Sequence, residues 1–511
     1  MNAANLPMSA GSVVRAVLAL AAASAMPRAR AEDAFALPVP AGTLVVPTQF
    51  RGADTGGPAP SSGAPASPWW TLFGDAVLNR LEAQAIESNQ DLQAAVARVT
   101  EARAAAGAVA ADLYPKLSAP IQLSRQRTTN TGPVATSRLV GSGFFPASSG
   151  ITAPSTFEGQ VLTNTYSDFQ LPLAVGYEVD LFGRVRHARD QARANAEASL
   201  ADREGVRLTL AAQVASNYFA LRAADSEVAV LTRTVGLRKE SEEVQDRRVK
   251  GGSASDVDLL RARVETANTE ADLVDVVQRR AELENALAEL CGQSSSVFRV
   301  EARPLDELSP PAVPSTIPAQ LMSRRPDLVE AERRIAAAEA GVKAARAQFY
   351  PAVSLMGTAG LESSQDNQLV ENQSRTWSIS GAINIPIFDG GRNASNLKAA
   401  RARDEEAYAA YRETALSAFR EVENALSNLR QRAAQAEARQ RALDNARRVF
   451  EASQKSYADG GLTYFEVVDA ERVLLSAERA RVRTLGSRYA ATVDLIRATG
   501  GGYAQDAGAR E

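Results

Sequence analysis

The sequence predicts a mainly helical protein with a transmembrane β part, built from two structural repeats. Three observations predict it. Two proline-free stretches of 68 residues, Gly183–Lys250 and Arg392–Asp459, carry a helical pattern. Four shorter segments alternate apolar and polar residues with the period of a strand. These segments recur in the same order in both halves of the chain, which marks a duplicated unit.

Residues 1–31 read as an export signal, with Arg15 followed by a short apolar core, Ala16–Met26. Ala29-Arg30-Ala31 then forms a small-x-small site, so cleavage is expected after Ala31. That core is too short to span a bilayer. Residues 32–68 are rich in Pro, Gly and Ser and are expected to be extended.

The first repeat occupies 69–301. Its helix "DLQAAVARVTEARAAAGAVAADLYPKLS", from Asp91, matches "DLVEAERRIAAAEAGVKAARAQFYPAVS", from Asp327. Both helices should end at Tyr-Pro, because proline disfavours helix in the residue before it. Strands are expected over about 116–126 and 168–180, separated by a Ser/Thr/Gly/Pro-rich loop that the second copy shortens. A helical hairpin, 183–292, turns at Gly251-Gly252. At 1.5 Å per residue its first arm is about 100 Å long. A proline-rich linker, 302–326, leads to the second repeat, 327–501. This repeat has strands over about 352–363 and 376–388 and a hairpin, 390–499, that turns at Gly460-Gly461. Residues 502–511 form a tail.

The strand pattern carries the membrane inference. In "TWSISGAINIPIF" one face holds Trp377, Ile379, Ile383, Ile385 and Ile387, and the other Thr376, Ser378, Ser380 and Asn384. An apolar outer and polar inner face is the signature of a transmembrane barrel, although a half-buried soluble sheet has the same period. Four strands are too few to close a barrel, and open edges are not tolerated in lipid, so other copies of the chain must complete it. After the second turn, Val468, Leu475, Val482, Tyr489 and Ile496 recur every seven residues, as in a coiled coil.

Composition excludes other classes. A formal charge of −3 over 511 residues gives no basic stripe and argues against a nucleic-acid partner. A single Cys (Cys291) and a single His (His187) leave no basis for a disulfide framework or a Cys/His zinc site. No nucleotide loop, zinc-protease motif or Ser/His/Asp arrangement occurs, so the chain is expected to be no enzyme, with no catalytic residue, metal or cofactor.

The motifs "WWTLFGDAVLNRLEAQAIESNQDL", "YEVDLFGR", "RPDL", "FYPAVSL", "PIFDGGR", "AFREVENAL" and "YADGGLTYFEVVDAERVLLSAE" belong to a pattern that covers roughly Trp69 to Gly501. In this order and duplication they resemble the TolC-like outer-membrane efflux proteins, in the branch serving resistance-nodulation-division (RND) multidrug pumps. The resemblance implies a homotrimer with a shared 12-stranded β-barrel in outer-membrane lipid, four strands per chain. A long-helix α-barrel would continue it into the periplasm, belted by the linker, the segment before Trp69 and the tail. It implies a passive conduit for drugs or other small molecules, fed by an inner-membrane RND-type pump through a periplasmic adaptor protein. An outer-membrane exporter for type I protein secretion shares the fold and stays open as an alternative, as does a soluble coiled-coil scaffold. Many members carry lipid on a Cys after the signal. No Cys precedes Cys291, so no N-terminal lipid anchor is expected from this chain.

The resemblance also implies a gate. The stretch after the second turn matches the lining of a closed periplasmic aperture. There Asp469 matches a constricting aspartate, Phe465 an apolar ring residue, Glu466 an acid, and Tyr457 a tyrosine of the gate network. Leu462 stands where some members carry a locking arginine, so that ion pair is not implied here. In the first repeat Arg261 stands opposite Asp469 and is a candidate to pair with it across an interface. Gly251, Gly252, Ser253, Gly460, Gly461 and Leu462 lie a full long helix from the strands and are expected to form the tips that meet the adaptor.

Overall fold

The computed structural model describes residues 68–127, 165–305 and 318–501, together with Phe50 and Pro311. The signal, the loop over 128–164, the tail and parts of the N-terminal segment and of the linker lie outside the described residues.

Helices α1 (Ala76–Ser88) and α2 (Gln90–Ala110) start on side-chain caps, with Asp75 accepting from the amides of Val77 and Leu78 and Asn89 from that of Leu92. Strands β1 (Lys116–Ser118), β2 (Gln122–Arg127) and β3 (Thr165–Val179) follow. Next come the 67-residue α3 (Arg184–Lys250) and the 35-residue α4 (Asp256–Leu290). The second half opens with α5 (Pro318–Arg324), α6 (Pro326–Ala347), β4 (Ala352–Ser363) and β5 (Arg375–Asn384). It closes with α7 (Arg392–Ala458) and α8 (Tyr464–Ala498), again 67 and 35 residues long.

The strands form one antiparallel sheet in which β3 pairs with β1 and β2 on one side and β4 on the other, and β4 pairs with β5. Two strand boundaries differ from expectation. The strand over about 116–126 is split, because Pro120 has no N–H to donate to the ladder and interrupts it between Ser118 and Gln122. The strand expected to reach 388 stops at Asn384, two residues before Pro386. Trp377, Ile379 and Ile383 of β5 and Leu117 and Leu123 of β1 and β2 stay exposed in the single chain. Among the described residues both outer edges of the sheet are unpaired.

The helices form a layer. Near the sheet α2, α3, α6 and α7 pack in that order, and farther away the order is α4, α3, α8 and α7. Thus α4 continues the line of α2, and α8 that of α6. All five heptad residues of α8 are buried. Where α3 and α8 meet, Gly486 is needed for close approach, since a Cβ there would lie 2.8 Å from that of Ala223. Beside the helix junctions, Trp69, Trp70 and Phe73 pack with Phe219 of α3 and Tyr489 of α8 into one core joining both repeats. Phe219 and Tyr489 stack at 4.5 Å.

Among the described residues no helix is long and apolar enough to cross a membrane.

Candidate functional site

The two hairpin turns are built alike, but not by equivalent Gly-Gly steps. Helix starts Arg184 and Arg392 are 208 residues apart, whereas Gly251 and Gly460 are 209 apart. The structural match therefore pairs Gly252 (φ 70) with Gly460 (φ 80), the left-handed residue of each turn. Ser253 donates its amide to Arg248 O at 2.8 Å, and Gly461 to Ser456 O at 2.7 Å. Gly252 and Gly460 likewise reach Val249 O and Tyr457 O, which completes a Schellman cap on each long helix. Gly251 and Gly461 have ordinary backbone angles, and Leu462 is half-buried.

Beside the second turn the gate candidates separate into different settings. Tyr457 sits in the last turn of α7 and joins the two hairpins. Its hydroxyl accepts from Gln245 Nε2 at 3.1 Å and from Arg248 of α3. The Arg248 guanidinium lies 5.1 Å from the Tyr457 ring centroid. The Tyr464 hydroxyl shares a hydrogen bond with Ser241 at 3.1 Å, and its ring is 5.9 Å from that of Tyr457. Burial pushes the Tyr464 hydroxyl above its usual range, against the Ser241 bond that pulls it down.

Phe465 is half exposed and lies under Arg261 of α4, whose guanidinium is 5.3 Å from the ring centroid. With Glu466 and Asp469 it lines a cavity of about 390 Å³ between α7 and α8, opposite Ala446 and Val449. Within the chain Arg261 reaches Asp258 at 3.7 Å and faces Phe465. Glu466 has a local partner: its carboxylate accepts the Thr463 amide at 2.8 Å and the Thr463 hydroxyl at 3.0 Å. The bond from the Thr463 amide is one half of the capping box that Thr463 and Glu466 form at the start of α8.

Sequence reasoning missed Ser241, Gln245 and Arg248. Their only sequence signal is position, within the last turns of a helix that precedes a duplicated turn. It also missed a ladder of buried charges along α3. Arg238, 5% exposed, bonds Glu265 of α4 and Glu471 of α8, each at 3.1 Å. Glu227 gathers Arg279 of α4 and Arg479 and Arg483 of α8. Burial works against the Glu227 charge, yet hydrogen bonds from Arg483 and Arg479 hold its carboxyl below the usual range. Among the described residues no group of three or more His, Cys, Asp or Glu side chains is arranged to hold a metal.

Two long hairpins, one antiparallel sheet and a duplicated plan are thus brought together in one chain. Residues 81–293 and 317–501 match the outer membrane efflux protein family. The chain belongs to that family. The probable outer membrane lipoprotein SilC of Salmonella typhimurium is 30% identical over 439 residues, 86% of this chain and 88% of that protein. Outer membrane protein OprJ of Pseudomonas aeruginosa is 32% identical over 441 residues, 85% of this chain and 86% of that protein. Among solved structures, the outer-membrane channel OprN superposes with a TM-score of 0.75 at 28% identity, covering 90% of this chain and 99% of that one. The chain is an outer-membrane efflux channel of the tripartite kind, extending into the periplasm. Its family is one of passive channels.

Proposed function

We propose that this efflux channel is gated at the tip of its helical part, by movement of the second hairpin against the first. One observation carries the reading. Beside the second turn, side-chain hydrogen bonds run from the second hairpin to α3 of the first: Tyr457 to Gln245 and Arg248, and Tyr464 to Ser241. The Arg261–Phe465 contact adds α4. Breaking this small set loosens the first turn of α8, whereas the Arg238–Glu471 pair farther along it and the aromatic core near the sheet stay in place.

Three copies repeat each residue around one axis, so Phe465 forms an apolar plug and Asp469 an acidic ring that favours cations. Gly251, Gly252, Ser253, Gly460, Gly461 and Leu462 are the surface on which the periplasmic adaptor acts. The inner-membrane RND-type pump supplies the cargo and the energy. The chain itself performs no chemistry and conducts passively.

Single-channel recording of the purified trimer tests this reading. Phe465→Ala is expected to raise conductance, and Asp469→Ala to lower cation selectivity. Tyr457→Phe is expected to lengthen open times, because the phenyl ring cannot accept from Gln245. Wild-type conductance and selectivity in the Phe465→Ala/Asp469→Ala double variant would remove both residues from the gate.

A further inference from the structure

Above the proposed gate, α8 turns arginines toward the face that holds Asp469. Asp469, Arg472, Ser476, Arg479 and Arg483 follow at alternating steps of three and four and so share one stripe of the helix. The stripe borders a cavity of about 520 Å³ that is also lined by Arg238 of α3, Glu265 and Asp272 of α4, and Arg432 and Arg439 of α7. A cavity that touches both outer helices of the layer across the two inner ones lies on the concave side. If the chain is a conduit, that side faces the lumen.

The charges in this cavity do not balance. Six arginines line it against the two carboxylates of Glu265 and Asp272. Glu227 and Glu471 stand outside the lining and hold Arg479, Arg483 and Arg238 from behind. Counting both, cations still exceed carboxylates by six to four. The excess falls on particular groups. Arg432 donates to the neutral Gln435 at 2.9 Å, and no carboxylate is described beside Arg439. Arg238 is buried, yet its Nη2 has no hydrogen-bond partner. A buried guanidinium nitrogen without an acceptor is costly unless something supplies one. Arg479, meanwhile, is fixed by Asp272 at 2.7 Å and by Glu227 at 2.9 Å, so part of the donor array is held rigid before any solute arrives.

We propose that this cavity is a binding station for multivalent oxyanions, solutes carrying two or more carboxylate or phosphate groups. The inference rests on the conduit reading only for the direction from which the solute comes. Guanidinium groups match such anions in charge and in forked hydrogen-bond geometry. A monovalent acid leaves most of the array unused. Set above the cation-favouring Asp469 ring, the station gives an anionic solute a second foothold once it has passed the tip.

Calorimetric titration of the full-length detergent-purified protein with citrate tests the proposal, with acetate as the monovalent probe. Citrate is expected to bind saturably and more weakly as salt is raised, and acetate to give no saturable heat. Arg432→Gln/Arg439→Gln, which breaks none of the carboxylate pairs, is expected to weaken citrate about tenfold or more, or about 1.4 kcal/mol. Arg439→Gln alone, at an exposed position, should lose part of that and guards against a folding defect in the double variant. Arg441→Gln/Arg448→Gln makes the same charge change on α7 outside the cavity and should keep wild-type affinity. Equal citrate affinity in wild type and the cavity variant, or an equal loss in the control, overturns the station. Bilayer recordings separate this result from the conduit. A protein that binds citrate without conducting overturns the conduit reading alone, and one that conducts but ignores citrate overturns the station alone.

Discussion

Asn89 donates its side-chain amide to the carbonyl of Leu290 at 3.0 Å, tying the cap of α2 to the last residue of α4. The second repeat makes the same join with a different side chain, Arg325 Nη1 to the carbonyl of Ala498 at 3.0 Å. At both joins a left-handed glycine lets the chains touch. A Cβ on Gly292 (φ 65) would lie 2.3 Å from Ser88 O, and one on Gly500 (φ 91) 2.1 Å from Arg324 O. Gly292→Ala and Gly500→Ala are therefore expected to destabilise the protein by about 2 kcal/mol or more each, adding backbone strain to a clash with main chain. Gly74→Ala is the control, because Gly74 has φ 65 and nothing within 4 Å. Thermal unfolding of the purified trimer should rank both junction variants well below it.

The duplication explains how much of this fold was legible. Helix lengths, strand alternation and turn positions are local patterns, and each is written twice. The joins were not legible, because Asn89 and Leu290 are 201 residues apart and only the glycines hint at close contact. Register at the tips was also hidden. Aligning Gly-Gly with Gly-Gly is natural on the page, whereas the backbone aligns the left-handed residues Gly252 and Gly460. The gate candidates split for the same reason. Thr463-x-x-Glu466 is a visible capping-box motif, but the bonds from Gln245 and Arg248 to Tyr457 span 212 and 209 residues.

Glu82 of α1 should make stability depend on pH. Its side chain is completely buried, and neither carboxylate oxygen has a hydrogen-bond partner. Burial pushes its carboxyl from 4.5 up to about 9. Burial, with Glu82 nearby, pushes the Cys291 thiol up to about 11. The folded protein thus keeps a proton that the unfolded chain releases near 4.5. This contribution is fully present below that value and is lost progressively as pH rises toward about 9. Glu82→Gln is expected to flatten the decline and to exceed wild type in melting temperature at alkaline pH. Parallel melting curves for the two proteins across that window would show that Glu82 is not the titrating group.

Glu227 should act in the opposite direction. Its folded carboxyl lies below the usual range, so its stabilisation is present above the ordinary value near 4.5 and is lost as pH falls through the folded value. Glu227→Gln leaves Arg279, Arg479 and Arg483 without their shared carboxylate and is expected to cost about 3 kcal/mol. Because two of those arginines belong to α8, hydrogen exchange should speed up along the α3–α8 seam more than along α2. Uniform exchange in the variant would count against Glu227 as the tie between the hairpins.

Glu466 allows its two roles to be told apart, because glutamine keeps one and removes the other. A capping box accepts Gln at the position of Glu466, so Glu466→Gln should preserve the bonds to Thr463 and the start of α8. Glu466→Ala removes them and is expected to cost about 1 kcal/mol and to fray the helix where Phe465 and Asp469 sit. If Glu466 serves only the cap, Glu466→Gln conducts with wild-type cation selectivity while Glu466→Ala shows unstable, longer openings. If its charge belongs to the acidic ring, both variants lose selectivity equally. Glu466 is placed for either role, since its Oε2 accepts from the Thr463 amide and hydroxyl while its side chain lines the cavity of Phe465 and Asp469. Recording both variants beside Asp469→Ala at one salt concentration would separate a ring made by Asp469 alone from one that both acids share.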